Sequence, residues 1–416
     1  MRRLTLQKFL FAGLSLTAVL ALSACENSIA QTPTTIQASQ IQTTQTELGE
    51  KLFHDPILSI NRQQSCATCH NPQHGWTDTR KDASGKVRPT SMGADGTSVG
   101  ERNSPTISYA ALTPEFKWET HARFNSQQPN YEGYVGGQFL DGREADLAAQ
   151  AGQPPLNPIE MQMPDRKSIV ERLQANSYYL SAFQSLYGES VFDSVEQAYA
   201  SMTQAIAEFE KSPKVSPFDS KYDRVLRGEA AFSFKELSGK SLFFSQQFTN
   251  CATCHQSHSN GHARETFTNY EYHNIGVPTN VKLNQELEKL GRPYKEAGLL
   301  NNPQVTDEEH RGKFRTPTLR NVAVTGPYMH NGVFTDLKTV VEFYDHFLIG
   351  SKHKINPETG LPWAEAEIPQ TVAETELKDG RKLKLQQVDQ MVCFLRTLTD
   401  QQFEHLIEED GIVCAD

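Results

Sequence analysis

The chain lacks several things, and each absence excludes something. No apolar run is long enough to cross a bilayer with ease: the most hydrophobic stretch, Phe9 to Leu22, falls short of the ~20 residues a membrane helix needs. There is no basic excess. With 40 Lys and Arg against 50 Asp and Glu, the formal charge is −10, a poor basis for binding nucleic acid. An acidic surface can instead steer a basic partner protein, or serve solubility alone. Strand signals are sparse, and no alternation of strand and helix suggests a parallel sheet. No low-complexity block interrupts the middle of the chain. Only the polar stretch "QTPTTIQASQIQTTQ" near the start reads as disordered.

The first residues read as an export signal. Arg2, Arg3 and Lys8 precede the apolar run, and Leu22-Ser23-Ala24 then leads into Cys25. This resembles a bacterial lipobox, which implies cleavage before Cys25 and acylation of its thiol; an ordinary secretory signal is the alternative. The expectation is a lipoprotein signal over 1–24, a flexible tether over 25–45, and a periplasmic protein anchored to the membrane through lipid. Removing the three basic signal residues leaves 37 basic against 50 acidic residues, about −13 net.

Seven cysteines remain informative. Four lie in two copies of one pentapeptide, Cys-Ala-Thr-Cys-His, at 66–70 and 251–255. Two thiols three residues apart reach the two vinyl groups on one edge of a porphyrin, and the following His lies under the iron. A redox Cys-x-x-Cys pair does not require that His and usually accompanies a parallel sheet. A structural zinc site would pair its two Cys-x-x-Cys units in one small module, yet these lie 185 residues apart. The expectation is two covalent c-type haems, attached at Cys66, Cys69, Cys251 and Cys254, with His70 and His255 as proximal ligands. Before each copy comes a short apolar-periodic helix and a loop. Export puts the last two cysteines, Cys393 and Cys414, in an oxidising compartment, where a bridge would pin the C-terminal tail to the helix containing Cys393.

The fold class expected is mainly α: two cytochrome c-like haem domains with long loops, the second followed by a short tail. The N-terminal domain spans 46–211, a Pro-interrupted linker 212–228, and the C-terminal domain 229–416. "DASGKVRPTSMGADGTSVGERNSPT" and "HARFNSQQPNYEGYVGG" read as loops. "RKSIVERLQANSYYLSAFQSLYG", "VEQAYASMTQAIAEFEKS", "TVVEFYDHF" and "QVDQMVCFLRTL" have helical periodicity.

Several motifs occur in order: "GEKLFHDPILS" before the first CATCH, then "RNSPTI", "FLDGRE", "NPIEM", "HNIGVP" and "FRTPTLRNVAVTGPYMHNGVFTDLKTVVEFYDHF". Together they resemble the bacterial di-haem cytochrome c peroxidase superfamily, especially its MauG-like branch, from about Glu47 to Leu398. In that family the N-terminal haem meets peroxide and the C-terminal haem stores and relays electrons. The resemblance implies that Glu160 is the acid–base residue on the open side of haem one, with Gln150 beside it and Pro154 lining the same pocket. Peroxidases of the family carry a capping His in the loop corresponding to 78–102; this loop has none. His74, four residues past His70, reads as a haem-edge residue. Haem one is therefore expected to be five-coordinate or water-bound and to need no reductive activation.

For haem two, the downstream candidates for a sixth ligand are His273, His310, Met329, His330, Tyr344 and His346. The resemblance selects Tyr344, with His330 near the haems but not a ligand. A phenolate stabilises ferric iron where the thioether of other members favours the ferrous state. One departure stands out. Relatives commonly have Trp where this chain has Leu140, and that Trp relays charge between the haems. Trp76, Trp118 and Trp363 are the remaining candidates for a relay. The resemblance also implies one Ca²⁺, held by Asn103, Thr325 and Pro327, and homodimers are common in the family.

The function implied is a peroxidase that reduces hydrogen peroxide with electrons from a small c-type cytochrome or cupredoxin. A MauG-like enzyme that oxidises a side chain of a partner protein is the close alternative, and a non-enzymatic di-haem electron carrier is the third.

Overall fold

Two small helix crossings, each built around a glycine, organise this chain. The computed structural model describes residues 43–124, 128–408 and 410–415. The signal and Cys25 lie outside them. Helix α1 (Gln45–His54) opens with a capping box in which Thr44 and Glu47 satisfy each other's backbone N–H groups. It crosses α6 (Val195–Glu210) so closely that a Cβ on Gly49 would sit 1.8 Å from the carbonyl oxygen of Ala205. Short helix α2 (Cys66–Cys69) follows, and α3 (Leu147–Ala151), α4 (Arg166–Gln174) and α5 (Ser177–Tyr187) complete the first set. The periodic stretch over 166–187 is two helices, because the Asn176 side chain accepts from Tyr178 and Tyr179 N–H and restarts the helix.

The second set repeats the scheme. After α7 (Lys221–Leu226), helix α8 (Phe234–Phe243) opens with a Ser233/Glu236 capping box. It crosses α12 (Leu385–Arg396), and a Cβ on Gly239 would lie 1.9 Å from the Gln390 carbonyl oxygen. Between them run α9 (Val281–Lys289), α10 (Leu337–His346) and α11 (Glu374–Lys378). Leu237 of α8 is 51 % exposed, and Gly239, Leu242 and Phe243 form the helix's buried face.

Helix accounts for 38 % of the described residues, so their regular structure is helical while most of them lie in loops. One segment expected as loop is a strand. β1 (Lys117–His121) pairs antiparallel with β2 (Tyr131–Val135), whose Tyr131, Gly133 and Val135 point inward with period two. β3 (Tyr272–His273) and β4 (Phe314–Arg315) form a second short pair.

Two main apolar cores result. The first gathers Leu48, Leu52, Phe53, Trp76, Met202, Ile206 and Phe209; the second gathers Tyr222, Leu242, Phe243, Met391, Phe394 and Leu398. The linker divides between them, with Val215 in the first and Tyr222 in the second. The C-terminal tail returns to the first core through Phe403. A disulfide joins Cys393 in α12 to Cys414, with Cα atoms 5.4 Å apart. Asp400 ties the regions together: it accepts from the Tyr109 hydroxyl at 2.5 Å and from Asn321 Nδ2 at 2.8 Å.

Candidate functional site

Both CATCH segments follow the loop after a glycine-crossed helix, and each holds its His the same way. His70 Nδ1 lies 3.2 Å from the Trp76 carbonyl oxygen and His255 Nδ1 lies 3.0 Å from the Phe267 carbonyl oxygen. A ring whose Nδ1–H is donated to a carbonyl presents a bare Nε2, the form that ligates iron. Burial lowers the pKa of both rings, that of His255 to about 4. The four CATCH thiols are unbridged. Burial pushes Cys66 up to about 12 and Cys251 up to about 11, so both stay as thiols. Paired unbridged thiols beside a His with free Nε2 suit covalent haem, and at the second copy they line an apolar cavity of about 340 Å³.

The surroundings of the first copy converge on a carboxylate. The turn after α3 folds back so that Met161 N–H donates to the Pro154 carbonyl at 3.2 Å, which brings Pro154 beside Glu160. Asn157 Nδ2 donates to Glu160 Oε1 at 2.7 Å. Burial raises the pKa of Glu160, while the positive charge of Arg143 and the Asn157 hydrogen bond pull it partly back. Arg143 is itself held by Asp141 at 2.6 Å and covers the Phe139 ring. Glu160 is near enough to raise the Cys66 thiol electrostatically, so carboxyl and anchor share one neighbourhood. Gln150 lies in the last turn of α3, its side chain free of hydrogen bonds to any described residue.

The 78–102 loop meets this neighbourhood with backbone. Ala94 N–H donates to the Glu160 carbonyl at 2.7 Å, and a Cβ on Gly93 would lie 2.6 Å from the Ile159 carbonyl oxygen. Gln64 and Arg80 approach the Cys69 sulfur at 3.2 and 3.3 Å. His74 bonds to Asn71 in the turn that carries Trp76.

One residue of this neighbourhood was missed by the sequence reading. Glu210, at the C-terminal end of α6, is 4 % exposed, and burial lifts it to about 8, so it keeps its proton at neutral pH. After burial, its charge when ionised does the most to raise the Cys66 thiol. The signal was there: Ala198, Met202, Ile206 and Glu210 form one stripe at a spacing of four.

Around the second copy, the cavity is lined by Cys251, Cys254, His255, Tyr344, Leu140 and Met329, among others. Tyr344 is brought by α10, whose start is capped by Asp336. Burial and the two nearby cysteines push its hydroxyl pKa well up, so ionisation there requires a cation such as ferric iron. Of the other ligand candidates, His273 and His330 also line the cavity, whereas His310 packs against Trp118 and Tyr134, and His346 turns to the Phe343 carbonyl and Trp363. Leu140 is at the cavity wall and no Trp is. Trp118 is 48 % exposed on β1, Trp76 sits behind His70, and Trp363 packs on Phe343.

Asn103, Thr325 and Pro327 line the same cavity. Asn103 Nδ2 donates to the Pro89 carbonyl at 3.0 Å, and its Oδ1 accepts from no described residue. A further hub was unforeseen. Glu271, fully buried, accepts from His121 at 3.0 Å, Arg123 at 2.9 Å and His273 at 2.8 Å. Burial alone would raise its pKa, but these three partners hold it at about 2. The hub fastens the β1–β2 hairpin to the wall of the second cavity. Nothing in the local pattern betrays it, since its members are up to 152 residues apart.

The family model described as di-haem cytochrome c peroxidase matches residues 43–231. The methylamine utilization protein MauG of Paracoccus denitrificans is 47 % identical over 87 % of this chain and 90 % of its own length. The cytochrome c peroxidase Ccp of Escherichia coli is 33 % identical over 73 % of this chain and 54 % of its own length. The solved structure of the diheme peroxidase BthA from Burkholderia thailandensis superposes with a TM-score of 0.75 at 26 % identity, covering 90 % of each chain.

Proposed function

We propose a function from one premise: the chain belongs to the MauG-like di-haem cytochrome c peroxidase family. It is an oxidoreductase of peroxide chemistry with two haem c groups. In our reading these sit in two cytochrome c-like domains, one on Cys66, Cys69 and His70, the other on Cys251, Cys254 and His255. The export-like N-terminus supports a periplasmic location, with Cys25 as lipid anchor.

Haem supplies, when bound, an iron centre able to take oxidising equivalents from hydrogen peroxide. The chain's own residues do the rest. On the open side of haem one, Glu160 takes the proton from the near oxygen of HOOH and returns it to the far oxygen, so that water leaves. Arg143 and Asn157 offset the burial of that carboxyl, keeping its ionised form within reach. Gln150, with an unengaged amide, orients the peroxide, and Pro154 walls the pocket. Tyr344, a buried phenol on the same cavity wall as Cys251 and Cys254, would hold the iron of the second haem and so reserve that haem for storing and relaying charge.

The observation that carries this reading is the contrast in what faces the two anchors: a buried carboxyl and a backbone-packed loop at the first, a buried phenol at the second. The 78–102 loop carries no His that would have to leave before peroxide arrives, so in this reading the as-isolated enzyme is competent. Together with the 47 % identity to MauG, this favours oxidation of a side chain of a partner protein as the source of electrons. A small cytochrome or cupredoxin donor is the second reading. Leu140 favours it, because an aliphatic side chain at the cavity wall cannot carry a hole between haems.

The test is stopped-flow mixing of the diferric protein with hydrogen peroxide and no reductant. Immediate change at the Soret band is expected. A protein that stays silent until one haem has been reduced contradicts the proposal. Adding a reduced small cytochrome then separates the two electron sources: rapid multiple turnover favours the peroxidase.

A further inference from the structure

Three ligand-bearing side chains outside the haem anchors meet at one point. Glu296, His330 and Glu367 come from three separate segments, and one potential ligand atom of each lies within 4.8 Å of the others. We propose that they form a binding site for a first-row divalent cation of the Zn²⁺ class, distinct from the Asn103, Thr325 and Pro327 oxygens discussed above.

Each member is held for that purpose. Glu296 is 5 % exposed and spends one oxygen on structure: Oε1 accepts from Arg102 Nη2 at 2.7 Å and from Gly298 N–H at 2.6 Å. Its other oxygen, Oε2, faces His330 Nε2 at 3.3 Å. That contact does not have hydrogen-bond geometry, so Nε2 is a buried ring nitrogen without a hydrogen-bond partner, on a side chain only 8 % exposed. The His330 ring cannot easily turn to find one. It stacks on Phe314 at 3.9 Å, and its own carbonyl accepts from Asn103 N–H at 2.9 Å. Glu367 is fixed through its backbone, whose N–H donates to the Val277 carbonyl at 3.0 Å, and its carboxylate receives no hydrogen bond from a described residue.

Charge points the same way. Two carboxylates converge on a single cationic side chain: Arg102 pairs with Glu296 and reaches Glu367 only through its field, so the negative charge exceeds the positive beside an orphaned imidazole nitrogen. Buried charges are ordinarily paired or bound to metal, and orphaned buried nitrogens are rare. One imidazole with two carboxylates is a mixed nitrogen and oxygen set. It suits Zn²⁺ and its first-row neighbours, whereas Ca²⁺ takes oxygen alone. Three protein ligands leave room for water, as in open zinc sites.

Equilibrium dialysis of the di-haem protein against Zn²⁺, with Ca²⁺ saturating and elemental analysis as the readout, tests the assignment with both haems in place. One Zn²⁺ per chain is expected. His330→Gln and Glu367→Gln should each weaken binding by more than the ~10- to 100-fold that loss of an outer-shell partner costs. Glu367 lies on a partly exposed segment, so its isosteric amide variant decides the matter if His330→Gln fails to fold. His258→Gln, which alters the exposed stacked pair of His258 and His262, should leave the stoichiometry at one. Absence of bound zinc in the wild type, or equal binding by Glu367→Gln, overturns the site.

Discussion

The two anchoring regions are close copies in their frame and unlike in what surrounds them. In the first, Phe53 of α1 meets Phe209 of α6 with centroids 5.2 Å apart and planes at 55°. In the second, Phe243 of α8 meets Phe394 of α12 at the same 5.2 Å and 55°. Each entering helix begins with a capping box and crosses its partner at a glycine. Each His gives its Nδ1 to a backbone carbonyl. The frame fixes the anchor, and the role is decided by side chains brought from elsewhere. Beside the first anchor these are two carboxyls, Glu160 and Glu210. Beside the second they are Tyr344 and a wall of apolar residues.

The strongest way to break this contrast acts on the first region alone. Glu160→Gln should slow peroxide turnover ~100- to 10,000-fold, the usual contribution of a positioned acid–base group. Haem content should stay at two per chain. Turnover within a few-fold of wild type would remove Glu160 from the chemistry.

A second test contrasts how the two regions bury charge. Beside the second core, Arg320 is fully buried and paired with Asp223 at 2.7 and 3.0 Å. Asp223→Ala strands the guanidinium and should cost ~3–5 kcal/mol in denaturant unfolding. Beside the first core lies Glu210, which has no ion-pair or hydrogen-bond partner among the described residues and which burial holds in its protonated form at neutral pH. Its pKa of about 8, against an ordinary 4.5, means the folded chain keeps a proton that the unfolded chain releases. The stability this gives is complete below about pH 4.5 and is lost as pH rises through about 8. Glu210→Gln should flatten that slope; an unchanged pH profile would show that Glu210 is ionised in the folded protein.

The glycine crossings supply a smaller and symmetrical effect. Gly49→Ala and Gly239→Ala each push a methyl onto a backbone carbonyl and should cost ~1–3 kcal/mol, of similar size in the two regions. A large cost at one and none at the other would break the likeness of the frames. The smallest effect is expected from Leu140→Trp, which restores an oxidisable side chain at the cavity wall. It should speed the response of haem two to peroxide without changing the initial reaction at haem one.

Much of this was legible in the sequence because it is local. CATCH is five residues long, the capping boxes four, and the buried face of α12 follows from helical period. The NPIEM turn gave Glu160, although Arg143, which tempers it, comes from the neighbouring FLDGRE motif and only its fold-back shows the pairing. What was illegible is long-range. Glu271 collects His121, Arg123 and His273, and the cation site joins 296, 330 and 367, so no window of sequence contains either. β2 was read as loop because polar residues interrupt a strand of five whose inward alternation includes a glycine.

The central claim is that one anchor serves an open haem and a closed one. Electron paramagnetic resonance of the diferric protein, compared with that of Tyr344→Phe, tests it most directly. The account predicts one high-spin and one low-spin ferric signal in the wild type, with only the low-spin signal altered in the variant. Two low-spin signals, or a spectrum that Tyr344→Phe leaves unchanged, would contradict it.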